Sequence, residues 1–199
     1  MPIHVPDLSD VLIAYVAAEC LAQTHPDGSI PIPIEDIIDV GYRLDLVPTP
    51  NLETLFGTTA FITQDLREIR VDDYTYRRQS YRLRFSLAHE LAHLILHTTV
   101  YRALAFTTPA EWKIALGSIV PADYKRMEDQ ADQLAGLILV PTLQFRRIFQ
   151  EVATALAQAN TSFGQLSKQS QDYAVKRLAN TFGVSTGIIW FRLRDEHFI

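Results

Sequence analysis

The sequence predicts an α+β fold, mostly helical, with a small antiparallel sheet of about three strands. Three observations predict it. Long stretches of the 199-residue chain carry apolar residues at helical spacing, three short β-type runs cluster early, and Pro and Gly punctuate the boundaries. With 48% hydrophobic and 21% charged residues the composition is ordinary for a globular chain and excludes disordered or collagen-like polymers. A chain of this size buries roughly 70% of its unfolded surface, so it needs no disulfide. Cys20 has no partner to form one, which fits a reducing compartment.

Element by element, Val11, Leu12, Tyr15, Val16, Ala18 and Leu21 recur at helical spacing after a capping Ser9. HPDGS at 25–29 is a turn. Pro33 can open a short helix through PIEDIIDVG, with Gly41 as its left-handed stop. LDLV, TAFIT and EIRV read as strands, the last two as a hairpin. An arginine-bearing loop leads to a strongly apolar helix from about Ser80 to His97. Residues 98–117 are poorly patterned. Pro121 opens a helix stopping near Pro141, a further helix covers Thr142 to Gln158, and NTSFGQ is the best linker candidate. The tail reads as two helices joined at FGVS, with Gly183 making the turn and Ser185 capping the second.

No stretch of 18 uncharged apolar residues occurs, and the amino terminus lacks a basic and apolar leader pattern, so the expected location is the cytoplasm with no membrane contact. The net charge of −5 argues against a protein held to nucleic acid by phosphate contacts. Charge is uneven: residues 1–66 carry one arginine against ten acidic residues, and an arginine series follows at Arg67, Arg70, Arg77, Arg78, Arg82 and Arg84. A solvated flank accounts for most of that series. Arg77, Arg78, Arg82 and Arg84 are also candidates for docking an acidic partner.

The chemistry concentrates in His89-Glu90-Leu91-Ala92-His93, an HExxH. On a helix both imidazoles leave one face and can reach a single ion, while Glu90 projects toward a metal-bound water. The flanking run, FSLAHELAHLIL, is almost wholly apolar, and burying two histidines and a carboxylate there is costly unless they are paired or bind metal. Zinc in a catalytic site takes three protein ligands and one open position. A third histidine in the pattern HExxHxxGxxH fails, because Leu96 and Thr99 stand where glycine and histidine are needed. His97 lies about 12 Å along the axis from His89 in an ideal helix, so it suits a capping or ligand-supporting role. Glu128 is the better third ligand, with Asp132 one turn on to accept the free N–H of a ligand histidine. Glu111 and Asp129 are the spare carboxylates.

Arg84 to Ala88 leading into HELAH and Leu94 to His97, together with Glu128-x-x-Ala131-Asp132-x-x-Ala135 running to Leu139-Val140-Pro141, resemble the ImmA/IrrE metallopeptidases over about residues 30–141. A weaker match continues through LANTFGVS and RLRD. Ala92 stands where the family usually has glycine, a small-for-small exchange, and Asp132 where it usually has asparagine, which strengthens a carboxylate–histidine contact. The resemblance implies a metallopeptidase domain over 1–158, with the HExxH helix packed on a second ligand-bearing helix, and a C-terminal helical segment over 159–199. It implies one zinc ion per chain, a protein substrate, and a helix-turn-helix repressor as that substrate, cut under stress or during activation of a mobile element. Tyr101, Tyr124, His97 and the Arg77 to Arg84 group are candidate donors to the transition state.

The tail has a rival reading as a DNA-binding helix-turn-helix. Its second helix, however, is dominated by Gly187, Ile188, Ile189, Trp190, Phe191 and Leu193, leaving only Thr186, Arg192 and Arg194 to reach base edges. The alternative functions are therefore a DNA-binding regulator, or a toxin–antitoxin-type protein whose zinc only holds the fold.

Overall fold

The computed structural model describes residues 3–199. Its elements in order are α1 (Asp10–Thr24), α2 (Ile34–Asp36) running into a wide π turn (Ile37–Gly41), β1 (Asp45–Thr49), α3 (Leu52–Phe56), β2 (Ala60–Ile62), β3 (Glu68–Asp72) and α4 (Asp73–Arg78). There follow α5 (Ser80–Ala103), α6 (Pro109–Leu116), α7 (Pro121–Leu139), α8 (Thr142–Gln158), α9 (Lys168–Phe182) and α10 (Thr186–Asp195). The fold is the mostly helical α+β arrangement the sequence predicts. No helix among the described residues is long and apolar enough to cross a membrane.

The sheet is mixed rather than antiparallel. Its order is β1-β3-β2, with β2 antiparallel to β3 as the hairpin reading requires, but β1 parallel to it in the register Leu46 to Ile69 and Pro48 to Val71. A parallel pair needs a crossover, and α3 with β2 supplies it. EIRV is therefore the central strand. Pro48, which cannot donate to a ladder, sits on the edge strand β1, where that loss is tolerated. Asp72 ties the sheet to both short helices: its carboxylate accepts from Tyr74 and Thr75 N–H at 3.1 Å, capping α4, and from Glu53 N–H in α3 at 3.1 Å. The arginine-bearing loop of the sequence reading is thus largely a capped helix.

One other reading, that of Gly41, needs correction, and α1 shows which of its stripes faces the core. In α1 the buried face is Ile13, Ala17 and Cys20, while Val11, Leu12 and Tyr15 are exposed. Both stripes have helical spacing, so periodicity marks the helix without choosing its face. Gly41 is not a left-handed stop; Arg43 takes that conformation, at φ 56°. Glycine is needed at 41 because a Cβ there would lie 2.8 Å from Thr24 Cγ2 of α1. The stretch 98–117 holds the end of α5 and all of α6, which opens with a capping box between Thr108 and Glu111.

Helix α5 forms the centre. Leu83, Leu87, Ala88, Leu91 and Ala92 are buried, with β2 on one side and α7 on another. On α7 the facing stripe is Met127, Ala131, Leu134, Ala135 and Ile138, and the two alanines let the helices approach closely. The tail joins α8 through an aromatic cluster in which Phe149 stacks on Phe198 at 4.3 Å and Phe145 meets Phe182 edge-on at 5.9 Å. Arg192 is fully buried there. It donates to Val140 O at 3.3 Å and Thr142 Oγ1 at 2.9 Å and pairs with Asp195 and Glu196, so it does not stand on a free recognition face. Gly183 turns between α9 and α10 at φ 65°.

Candidate metal centre

Packing α5 against α7 brings His89, His93 and Glu128 together at one end of a 670 Å³ cleft. His89 Nε2 lies 3.0 Å from His93 Nε2 and 3.3 Å from Glu128 Oε2, and His93 Nε2 lies 3.6 Å from Glu128 Oε1. Two ligands at roughly 2.0–2.1 Å from one ion, at the tetrahedral angle, stand about 3.3–3.4 Å apart. The three donor pairs bracket that separation, and the donor set is two imidazoles and a carboxylate, so the residues fit a tetrahedral divalent ion with one position open to the cleft.

The hydrogen bonds around these ligands orient them consistently. His89 Nδ1 donates to Asp132 Oδ1 at 2.8 Å. On the other side Gln130 Nε2 donates to Pro6 O at 3.0 Å, which turns its Oε1 toward His97 Nε2 at 3.0 Å. His97 then carries its proton on Nε2 and presents a bare Nδ1 to His93 Nδ1, 3.1 Å away. That leaves the lone pair of His93 on Nε2, aimed at the ion position. His97 is not a ligand. Its backbone leaves helical geometry (φ −122°, ψ 18°), kinking α5, which continues to Ala103 rather than ending at His97. Gln130 was missed in the sequence although it bears a signal: it occupies a position of the buried stripe, three residues after Met127, where an apolar side chain is expected. Replacing Gln130 by Leu removes the acceptor that sets this chain, and zinc affinity in a competition titration is expected to fall roughly tenfold to a hundredfold. Unchanged affinity would remove Gln130 from this role.

Charge in the site is poised for a cation. Burial alone would lower the pKa of His89, but its hydrogen bonds to Asp132 and Glu128 and the charge of Glu90 outweigh it, raising the value to about 10. Burial, with His89 and His97 beside it, pushes His93 well below its ordinary value. In the metal-free protein a proton on His89 Nε2, shared with His93 Nε2, thus balances the carboxylates. A metal ion must displace it. Metal uptake at pH 8 is expected to release about one proton, and affinity to rise by about tenfold per pH unit until pH approaches the His89 value. Calorimetry in two buffers of different ionisation enthalpy measures this, and no proton release would mean that His89 starts neutral.

Glu90 is only 5% exposed and borders the cleft. Its Oε2 accepts from Ile62 N–H of β2 at 2.9 Å, leaving Oε1 without a hydrogen bond among the described residues. Burial raises its pKa to about 7, with His89 pulling down and Glu128 pushing up, which suits a group that takes and returns protons near neutrality. Tyr101 and Tyr124 also border the cleft. Burial, reinforced by nearby carboxylate charge, holds Tyr101 well above its ordinary pKa and Tyr124 up to about 12, so both remain O–H donors. Trp112, which the sequence reading missed, also borders the cleft; its buried Nε1–H lies beside the Tyr101 hydroxyl and partly offsets the rise in that group's pKa.

The remaining candidates lie elsewhere. Glu111 is spent on Thr107 and Thr108, and Asp129 pairs with Lys125. Arg84 is an internal clamp, donating to Ile32 O and Gly183 O at 2.8 Å each. Arg82 pairs with Glu53, Arg77 with Asp73, and Arg78 is exposed. The series therefore does not form one free basic surface.

The model of the IrrE N-terminal-like domain, a peptidase family, matches residues 74–194, more than half of the chain, including His89, Glu90, His93, His97, Glu128, Gln130 and Asp132. The chain belongs to that family. A solved structure of a Mycobacterium tuberculosis transcriptional regulator is similar to it at 15% identity and a TM-score of 0.51, over 92% of this chain and 46% of that one. The chain thus spans about half the length of that regulator, and the likeness is one of fold. No curated protein matches. Membership in the IrrE-like family accords with a metallopeptidase-type site at His89, His93 and Glu128.

Proposed function

We propose that this chain is a zinc-dependent endopeptidase of the cytoplasm that cuts a specific protein partner, a helix-turn-helix repressor. The observation that carries the reading is the placement of two Nε2 atoms and a carboxylate at tetrahedral spacing beside Glu90 in an open cleft. A structural zinc is closed by four ligands, whereas here the fourth position faces the cleft. When bound, zinc supplies an acidified water and a Lewis acid for the scissile carbonyl. Glu90 Oε1 would take a proton from the attacking water and return it to the leaving amine, while Ile62 N–H keeps the carboxylate in place. Tyr101 and Tyr124 are the candidate donors at the cleft for the carbonyl oxygen as its charge develops.

Of the two edge strands, β2 is the one that borders the metal cleft and can pair with an extended substrate. Thr59 O and Thr63 N–H bond to β3, so Ala60 and Ile62 turn their backbone groups outward, and Ile62 N–H is already taken by Glu90. Ala60 borders the metal cleft. A peptide laid along β2 would therefore be held beside the general base; EIRV, being central, has no free edge. The family and the regulator-type fold neighbour both support a regulatory substrate over a digestive role.

The test is to incubate zinc-loaded protein with a co-encoded helix-turn-helix repressor and with unfolded casein, mapping fragments by mass spectrometry. One or a few cuts in the repressor and little digestion of casein are expected. Casein cut at many sites would sink the specificity claim. Failure to cut any co-encoded regulator, with zinc bound, would favour a metal-stabilised binding protein; salt-dependent binding to duplex DNA would favour the DNA-binding alternative.

A further inference from the structure

Helix α10 takes no part in the metal centre, yet it walls a second cavity beside it. This groove, 510 Å³ in volume, lies between α5, α7 and α10 and is lined by Tyr81, Phe85, Gly136, Ile188 and Phe191 among others. It lies against the metal cleft, because Phe85 and Asp132 border both. The Phe85 ring lies 6.3 Å from that of His89, whose Nδ1 is held by Asp132. Two large rings, Tyr81 at 44% and Phe191 at 42% exposure, are left in water at its rim.

Glycine shapes the groove. Gly136 is buried in the last turn of α7, where glycine still destabilises a helix relative to alanine, yet a Cβ there would meet no atom within 4 Å. The volume its side chain would fill is the groove itself. Gly187 on α10 also faces open space apart from Ser185 Oγ at 3.7 Å. The two charged residues of the lining are already engaged, Asp132 by His89 and Arg82 by Glu53 and Thr59. An apolar group could enter without stranding a charge.

We infer that this groove is the subsite for one bulky apolar side chain of the peptide held at the metal, so that α10 helps to choose the bond that is cut. The inference rests on the metallopeptidase reading. At roughly 3.3 Å of extended chain per residue, the shared wall at Phe85 puts the groove within about two residues of the scissile bond. A pocket of this size and character suits an aromatic or leucine-sized side chain. The apolar run that makes α10 a poor reader of DNA thereby gains a use.

The experiment measures binding, so that it does not depend on turnover. Two pairs of peptide hydroxamates are titrated into zinc-loaded protein, one pair with its variable side chain on the amino-terminal side of the chelating group and one on the carboxy-terminal side. Within each pair that side chain is benzyl or methyl. For at least one pair the benzyl compound is expected to bind roughly 10- to 100-fold more tightly. Gly136→Leu, which fills the groove from a site with room for it, should erase that preference while zinc content and melting temperature hold. Equal affinities in both pairs would overturn the inference, as would no binding of either, or a preference that survives Gly136→Leu. Self-association of the wild-type chain that Gly136→Leu abolishes, without a hydroxamate preference, would assign the groove to a second copy and overturn it too. Cleavage of the repressor without side-chain preference condemns the groove alone. Preference without cleavage condemns the peptidase reading alone.

Discussion

Purified His93→Ala is expected to contain no stoichiometric metal, and His89→Ala likewise, whereas the parent chain is expected to bind one zinc ion. Either change removes one of three donors from a site whose donor atoms lie within 4.8 Å of one another, and His93 is the more deeply buried. Its loss also breaks the chain from Gln130 through His97, leaving His97 Nδ1 without its donor. Elemental analysis after dialysis against a weak chelator reads the result. Glu128→Ala should lose metal in the same assay. Retention of full zinc by that variant would move the third ligand elsewhere, and among the described residues no other carboxylate lies close enough to both imidazoles for the geometry to offer it.

Glu90→Gln is expected to keep the metal and the fold but lose at least roughly 10²- to 10⁴-fold in hydrolysis of the partner. The amide matches the carboxylate in size and can still accept Ile62 N–H through its oxygen, so the local structure has no reason to move. It cannot take the proton from water. Cleavage by the variant is compared with the parent at matched zinc content. Wild-type cleavage would remove Glu90 from the mechanism, and loss of zinc would make it a ligand or the support of one. The pKa of about 7 adds a sign: below that value the parent's Glu90 is increasingly protonated in the metal-free chain, and a bound dication lowers the threshold. Activity of the zinc-loaded parent should therefore fall only at pH values acidic of 7.

The helices that carry the site are legible in the sequence because their signals are local. HExxH spacing needs only 3.6 residues per turn to put both histidines on one face, and Pro121 and Pro141 bracket α7 by forbidding a backbone N–H and a helical predecessor. That Asp132 shares a face with Glu128 follows from the same i, i+4 logic. Where a choice depended on a partner element, the sequence was silent or misleading. Either stripe of α1 could have faced the core, and only the docking of α1 on α7 buried Ile13, Ala17 and Cys20. The parallel pairing of β1 arises from a crossover through α3, which leaves no mark in alternation patterns.

By itself, then, the sequence singled out the helix-borne candidate donors His89, His93 and Glu128 and the candidate base Glu90, since each lies on a segment whose own period orients it. Tertiary structure alone decided that these donors converge at tetrahedral spacing, because that depends on the crossing of α5 over α7. It also decided that Ile62 N–H holds Glu90, that a carbonyl at Pro6 orients His93 through Gln130 and His97, and that Arg84 turns inward. Each of these contacts joins residues tens of positions apart or passes through backbone atoms that every residue shares. No residue type or spacing encodes such a pairing, and only the packed chain brings the partners within hydrogen-bonding distance.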